Sequence, residues 1–196
     1  MDAETTLVVT AAKNQDAFLS FLSSCGCMGL SLAPSAGEAR RRLSRQEYHL
    51  VIISAPLPDE FGRDLALHTA EATGSGVLLV TASLQAPEVA ADLERYGVAV
   101  IPSPMDRRTV VQALHLLRAS RRRLLALREE NRRLARRLGE MKLISRAKCA
   151  LIQYGGFTEE EAHHTLERRA MDRRISRPQA AQEILDAYEG GQPLPQ

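Results

Sequence analysis

Leu50-Val51-Ile52-Ile53 is a run of four aliphatic residues, followed at once by Ser54-Ala55-Pro56-Leu57-Pro58. A run this short, with no polar member, reads as a strand buried on both faces, and the two prolines end it. Working outward, Leu7-Val8-Val9, Val77-Leu78-Leu79-Val80 and Val98-Ala99-Val100-Ile101 have the same character, and a weaker strand lies near Leu30-Ser31-Leu32. Amphipathic stretches between them predict helices over about 14–25, 36–46, 60–71 and 87–95. Ser35-Ala36-Gly37-Glu38 predicts a capping box, with the Ser oxygen and the Glu carboxylate each meeting free N–H groups at a helix start. Regular β-α alternation implies a parallel sheet covered on both faces. Five strands at this length suit the doubly wound, flavodoxin-like α/β order.

The pattern changes after Pro104. From Asp106, a good N-cap, to Tyr154 there is no Pro and one Gly, Gly139, which predicts one long helix. Heptads run through its middle. With Leu117 at position a, the a series is Val110, Leu117, Leu124, Asn131 and Leu138, and the d series is Ala113, Ser120, Leu127, Leu134 and Met141. The seam Leu124, Leu127, Asn131, Leu134, Leu138 and Met141 predicts a coiled coil, and Asn131 at an a position favours a parallel homodimer. The competing reading, a helix lying on its own domain, would have to bury Arg128, Arg132, Arg133, Arg136 and Arg137. Tyr154-Gly155-Gly156-Phe157 then breaks the helix. Thr158-Glu159-Glu160-Glu161 is a second capping box, opening a helix to about Met171, and Ser176-Arg177-Pro178-Gln179 starts another. The expected division is 1–105, an α/β domain; 106–143, a linking helix or coiled coil; 144–189, a three-helix bundle; and 190–196, a disordered tail.

Composition narrows the function. The chain has 196 residues, 44% apolar but only 4% aromatic, so an aliphatic core is expected. Residues 1–105 hold 7 Lys/Arg against 12 Asp/Glu, 106–148 hold 14 against 4, and 149–196 hold 5 against 8. A basic segment between acidic ones fits a polyanion partner, and equally a solvated helix surface. Cys25, Cys27 and Cys149 have neither framework nor zinc spacing, so free thiols and no metal are expected. Met1-Asp2-Ala3-Glu4 is not the start of a signal peptide, and no apolar run is long enough to span a bilayer, so a cytoplasmic protein off the membrane is expected. There is no P-loop, and His163-His164 point about 100° apart on a helix, so neither an enzyme nor a cofactor is expected.

The first domain, over about 5–118, resembles the receiver domain of bacterial response regulators. His49 to Pro58, with Asp59 and Gly62, matches the strand and loop that carry that family's phospho-accepting aspartate; Thr81-Ala82 matches its switch residue, and Ser103-Pro104 its Lys-Pro pair. The chemistry is missing. Ala11 and Ala12 stand where the family has its two metal-holding acids, Ser54 replaces the aspartate and Ser103 the lysine, leaving only Thr81. Phosphoryl transfer to a carboxylate needs all three of the lost groups. The resemblance therefore implies a pseudo-receiver, a scaffold or a surface on which a sensor protein docks.

The last part, over about 124–188, resembles the ANTAR domain of transcription antiterminators. Ala147-Lys148-Cys149-Ala150-Leu151-Ile152 is similar to the family's Ala-Lys-Gly-x-Leu-Met segment, with Cys149 in place of Gly. Thr158-Glu159-Glu160-Glu161-Ala162, Ala170-Met171 and Ala180-Ala181-Gln182-Glu183-Ile184-Leu185 follow in the family's order. The resemblance implies binding of RNA hairpin loops in a transcript leader, which keeps a terminator stem from forming. Lys148, Arg146, Arg169, Arg173 and Arg174 are the candidate RNA contacts, with Arg168 beside them. Tyr154 is either a stacking platform or an aromatic cap on the core. Salt bridging to Glu159–Glu161 and Glu167 on the same helix is the alternative for Arg168 and Arg169. The alternative functions are a DNA-binding response regulator and a dimeric interaction scaffold. The third helix offers only Arg177, Gln179 and Gln182 for reading a groove.

Overall fold

A computed structural model describes residues 4–189 apart from Ala12 and Asn14. The first unit alternates β1 (Thr6–Val9), α1 (Gln15–Ser24), β2 (Leu30–Ala33), α2 (Ala36–Leu43), β3 (Leu50–Ser54), α3 (Arg63–Ala72), β4 (Gly76–Ala82), α4 (Ala86–Leu93) and β5 (Ala99–Ser103). All pairings are parallel and the strand order is β2-β1-β3-β4-β5, the flavodoxin-like order the sequence predicts.

Strict alternation along the strands builds two cores. Leu7, Val9, Val51, Ile53, Val77 and Leu79 face one way, onto Ala36 and Ala39 of α2, Leu65 of α3 and Leu93 of α4. Val8, Leu50, Ile52, Leu78 and Val80 face the other, onto Leu22 of α1 and Val110, Leu114 and Leu117 of the next helix, α5 (Arg107–Gly155). Every residue of β1 is buried, which explains why its sequence shows no polar alternation.

The Ser35 box forms by half. Ser35 Oγ accepts from the N–H of Glu38 at 3.2 Å, but the Glu38 carboxylate is taken by Arg41 and Arg42, three and four residues on. Asp59 fills the helix start instead, accepting from the N–H groups of Ala36 at 2.9 Å and Gly37 at 2.8 Å. Helix α3 begins at Arg63 rather than near 60, because Gly62, at φ 103, turns the chain into it. A Cβ at Gly62 would stand 3.0 Å from Ile53 Cγ2.

The chain forms two compact units, which meet after Leu127 in the sequence. In the second unit the end of α5 packs with α6 (Glu159–Arg173) and α7 (Arg177–Glu189) around Ala147, Leu151, Ala162, Leu166, Ala181 and Ile184. Both predicted boxes close here. Thr158 and Glu161 cap α6 reciprocally, and Ser176 and Gln179 do the same for α7, the Gln amide oxygen accepting from the Ser176 N–H at 2.9 Å. Residues 190–196, the expected tail, lie outside the described residues. No helix among the described residues is long and apolar enough to cross a membrane.

Candidate nucleic-acid interface and receiver pocket

The bundle holds its cations in two ways. Lys148, near the end of α5, donates to Glu159 in the first turn of α6. Arg169 and Arg173 of α6 both reach the Glu183 carboxylate on α7, each at 3.1 Å. The partner of Arg169 is thus on the next helix, not among the acids of its own. Arg177 pairs with Glu167 at 2.6 Å. Arg168 and Arg174 make no ion pair among the described residues. Arg168 lines an open groove of about 620 Å³ with Phe157, His164 and Met171. Arg174 ends α6 in the left-handed region at φ 53, and Arg146 is exposed on α5.

The aromatic cap of this core is Phe157, half-buried against it, together with Tyr188. Their packing requires Gly155, where a Cβ would lie 2.6 Å from the Phe157 ring and 2.8 Å from Tyr188 Oη. Tyr154 is 72% exposed, its ring centroid 5.8 Å from that of Tyr188. Of the two readings of Tyr154, its position favours an outward-facing ring backed by a second one. Sequence reasoning gives neither Tyr188 nor Glu183 a partner, because neither has a local pattern that marks one.

Along α5 the predicted seam is bare. Leu124 and Leu127, and then Leu134, Leu138 and Met141, are exposed, as is Asn131.

In the first unit, the C-terminal ends of the strands surround a cavity of about 310 Å³ lined by Thr10, Ala11, Lys13, Phe18, Ser54, Ala55, Pro56, Val80, Ser103 and Met105. Ala11, Ser54 and Ser103 thus line one cavity. Ala12 lies outside the described residues. Thr81 follows Val80 on β4 and does not line the cavity; its hydroxyl is buried without a hydrogen-bond partner. Asp59 is occupied at the α2 start, and those two N–H groups hold its carboxyl below the usual range. Cys25 and Cys27 are buried, and burial pushes the Cys27 thiol up to about 11, which leaves it unreactive.

Geometry therefore defines a receiver-like α/β unit followed by a helical bundle. Residues 132–185 match the ANTAR domain family, so the second unit carries an ANTAR domain. Over 161 residues the chain is 29% identical to the transcriptional regulatory protein PdtaR of Mycobacterium tuberculosis, covering 81% of this chain and 78% of the relative. Over 138 residues it is 29% identical to the aliphatic amidase regulator of Pseudomonas aeruginosa, covering 69% of each. The response regulator receiver domain protein (CheY-like) of Methanospirillum hungatei superposes with a TM-score of 0.52 at 19% identity, over 62% of this chain and 98% of that one.

The receiver fold implies a Mg²⁺ ion, and the residues here do not fit one. The cavity lining has hydroxyls and an ammonium but no carboxylate. No group of three His, Cys, Asp or Glu among the described residues is placed to hold a metal. A hard divalent cation needs oxygen ligands with negative charge, which this lining does not supply.

Proposed function

We propose that the protein is a transcription antiterminator that binds RNA hairpin loops in a transcript leader through its ANTAR domain. In this reading it works as a homodimer, with a receiver-like domain that acts without phosphorylation. The observation that carries the reading is the exposed Tyr154 ring, backed by Tyr188, on a bundle that matches the ANTAR family. Unstacked loop bases are recognised by stacking on such rings, and nearby Lys and Arg neutralise phosphates. The 14 Lys/Arg of residues 106–148 supply long-range attraction.

The dimer is part of the proposal. An exposed stripe of Leu and Met at heptad spacing is stabilised by pairing with a second copy, and Asn131 sets the register. The domain limits 1–105, 106–143 and 144–189 belong to it too, with the middle segment as the coil.

The test compares a leader RNA carrying two hairpins with duplex DNA of the same length, at one stated salt concentration. Tight binding of the RNA and only weak, salt-sensitive binding of the DNA is the expected result. The reverse order would make the protein a DNA-binding regulator, and binding of neither would leave an interaction scaffold.

A further inference from the structure

The cavity at the strand ends has lost the groups for phosphoryl transfer, yet it is still a pocket. Its floor comes from the ends of β1 and β3, through Thr10, Ala11, Ser54 and Ala55. In this sheet the chain winds outward from those two strands in opposite directions. Doubly wound sheets bind their ligands at that switch point, beyond the carboxyl ends of the strands.

The polar groups there are unused. Thr10, Ser54 and Ser103 make no side-chain hydrogen bond, and Lys13 no ion pair, among the described residues. Thr10 is buried and lines the cavity. Ser54 is half-buried and Ser103 and Lys13 are exposed, so the lining presents donors from its wall to its open rim, where acceptors from outside can reach them. Three hydroxyl donors and one ammonium match the lone pairs of a single carboxylate. The remaining wall, Phe18, Val80 and Met105, is apolar and would cover a short carbon chain. A volume of about 310 Å³ lies at the small end of ligand pockets. With one cation and no carboxylate, the lining suits a monoanion and repels nothing negative.

We propose that the receiver-like domain binds a small organic monocarboxylate, its carboxylate on Lys13 and the hydroxyls of Thr10, Ser54 and Ser103, its carbon chain against Phe18, Val80 and Met105. The domain then senses a metabolite-sized anion where a receiver senses phosphoryl transfer. This inference rests on the cavity alone and stands whether or not the protein binds RNA.

The test is an NMR titration of the isotope-labelled full chain with butyrate, with inorganic phosphate and MgCl₂ as separate arms. Butyrate should move the amide signals of Ala11, Ser54 and Ala55 saturably, and MgCl₂ should leave them in place. Lys13→Ala, at an exposed position, should raise the butyrate midpoint about tenfold, the effect of one charge-assisted hydrogen bond. Ala11→Asp should abolish the response by putting a negative charge into the pocket. Unmoved signals, a midpoint unaffected by Lys13→Ala, or tighter binding of phosphate or Mg²⁺ than of butyrate would each overturn the assignment.

Discussion

Arg169 of α6 donates from Nε to Glu183 Oε2 of α7 at 3.1 Å, and Arg173 shares the same oxygen. The carboxylate thus joins two helices and also occupies two guanidiniums that an RNA phosphate would seek. Glu183→Gln separates these effects. It should lower the unfolding free energy by about 0.5–1 kcal/mol, as expected for partly exposed ion pairs. It should also tighten hairpin RNA binding several-fold and steepen its salt dependence by about one charge. Weaker RNA binding by this variant would mean that Glu183 positions the arginines rather than competing for them.

Much of this fold was legible because its determinants are local. Leu50-Val51-Ile52-Ile53 reads as a strand since all four residues are buried, and Thr158 and Glu161 find each other within one helical turn. The misreadings involve a side chain choosing between competing partners, near or far in sequence. Glu38 has the right spacing for a box, yet Arg41 and Arg42 outcompete the backbone for its carboxylate. Asp59 replaces it from 22 and 23 residues away. Arg169 likewise skips the acids of its own helix for Glu183, and Tyr154 faces outward because Phe157 covers the core. Periodicity carries no information about such tertiary choices.

A second prediction concerns phosphorylation. The cavity offers Ala11, Ser54 and Ser103 where the chemistry would need carboxylates and a lysine, and the nearest acid in the following loop, Asp59, holds two backbone N–H groups. Incubation with Mg²⁺ and a small phosphodonor should leave the intact mass unchanged. An acid-labile gain of one phosphoryl group would show that another residue has taken over the acceptor role.

Acid should unfold the protein through its helix starts. Asp59, Asp106 and Glu161 each accept hydrogen bonds at the head of a helix, from Gly37 and Ala36, from Thr109, and from Thr158 respectively; these donors hold all three carboxyls below their usual range. A folded-state value below the unfolded one means that the stability is fully present above the unfolded value, about 4, and is lost as pH falls through the folded one. Thermal melts between pH 6 and 3 should fall in this window, and Asp59→Asn should flatten the fall. An equal slope in the variant would remove Asp59 from the account.

A parallel pair formed along the seam should depend on salt in an unusual direction. In a parallel pair, Arg123 at a g position faces Arg128 at the partner's e position, and Arg137 faces Lys142 in the same way. Screening weakens such repulsion, while the apolar contacts of Leu127, Leu134 and Leu138 are insensitive to it. Sedimentation of the full chain without RNA should show the dimer strengthening as salt rises. RNA binding should weaken over the same series, because bound counterions must be displaced. A monomer at every salt and protein concentration would reject the coiled coil.

Lys148 gives the sharpest test of the proposed RNA site. It follows Ala147, which is fully buried, and its own side chain is half-buried along the bundle while its ammonium reaches Glu159. An aliphatic stem on the bundle with a charged tip at its edge can turn from a carboxylate to a phosphate at small cost. Lys148→Ala should therefore weaken hairpin RNA binding by about 1–3 kcal/mol while the fold survives. Glu159→Gln releases the same ammonium and should leave binding unchanged or tighter. Arg146 sits two residues earlier, roughly 200° around the helix, so it cannot share a phosphate with Lys148. Arg146→Ala should cost less and reduce the salt slope by about one charge. If Lys148 served only the bundle, both substitutions at its ion pair would lower the melting temperature alike, and Lys148→Ala would bind RNA as tightly as the parent.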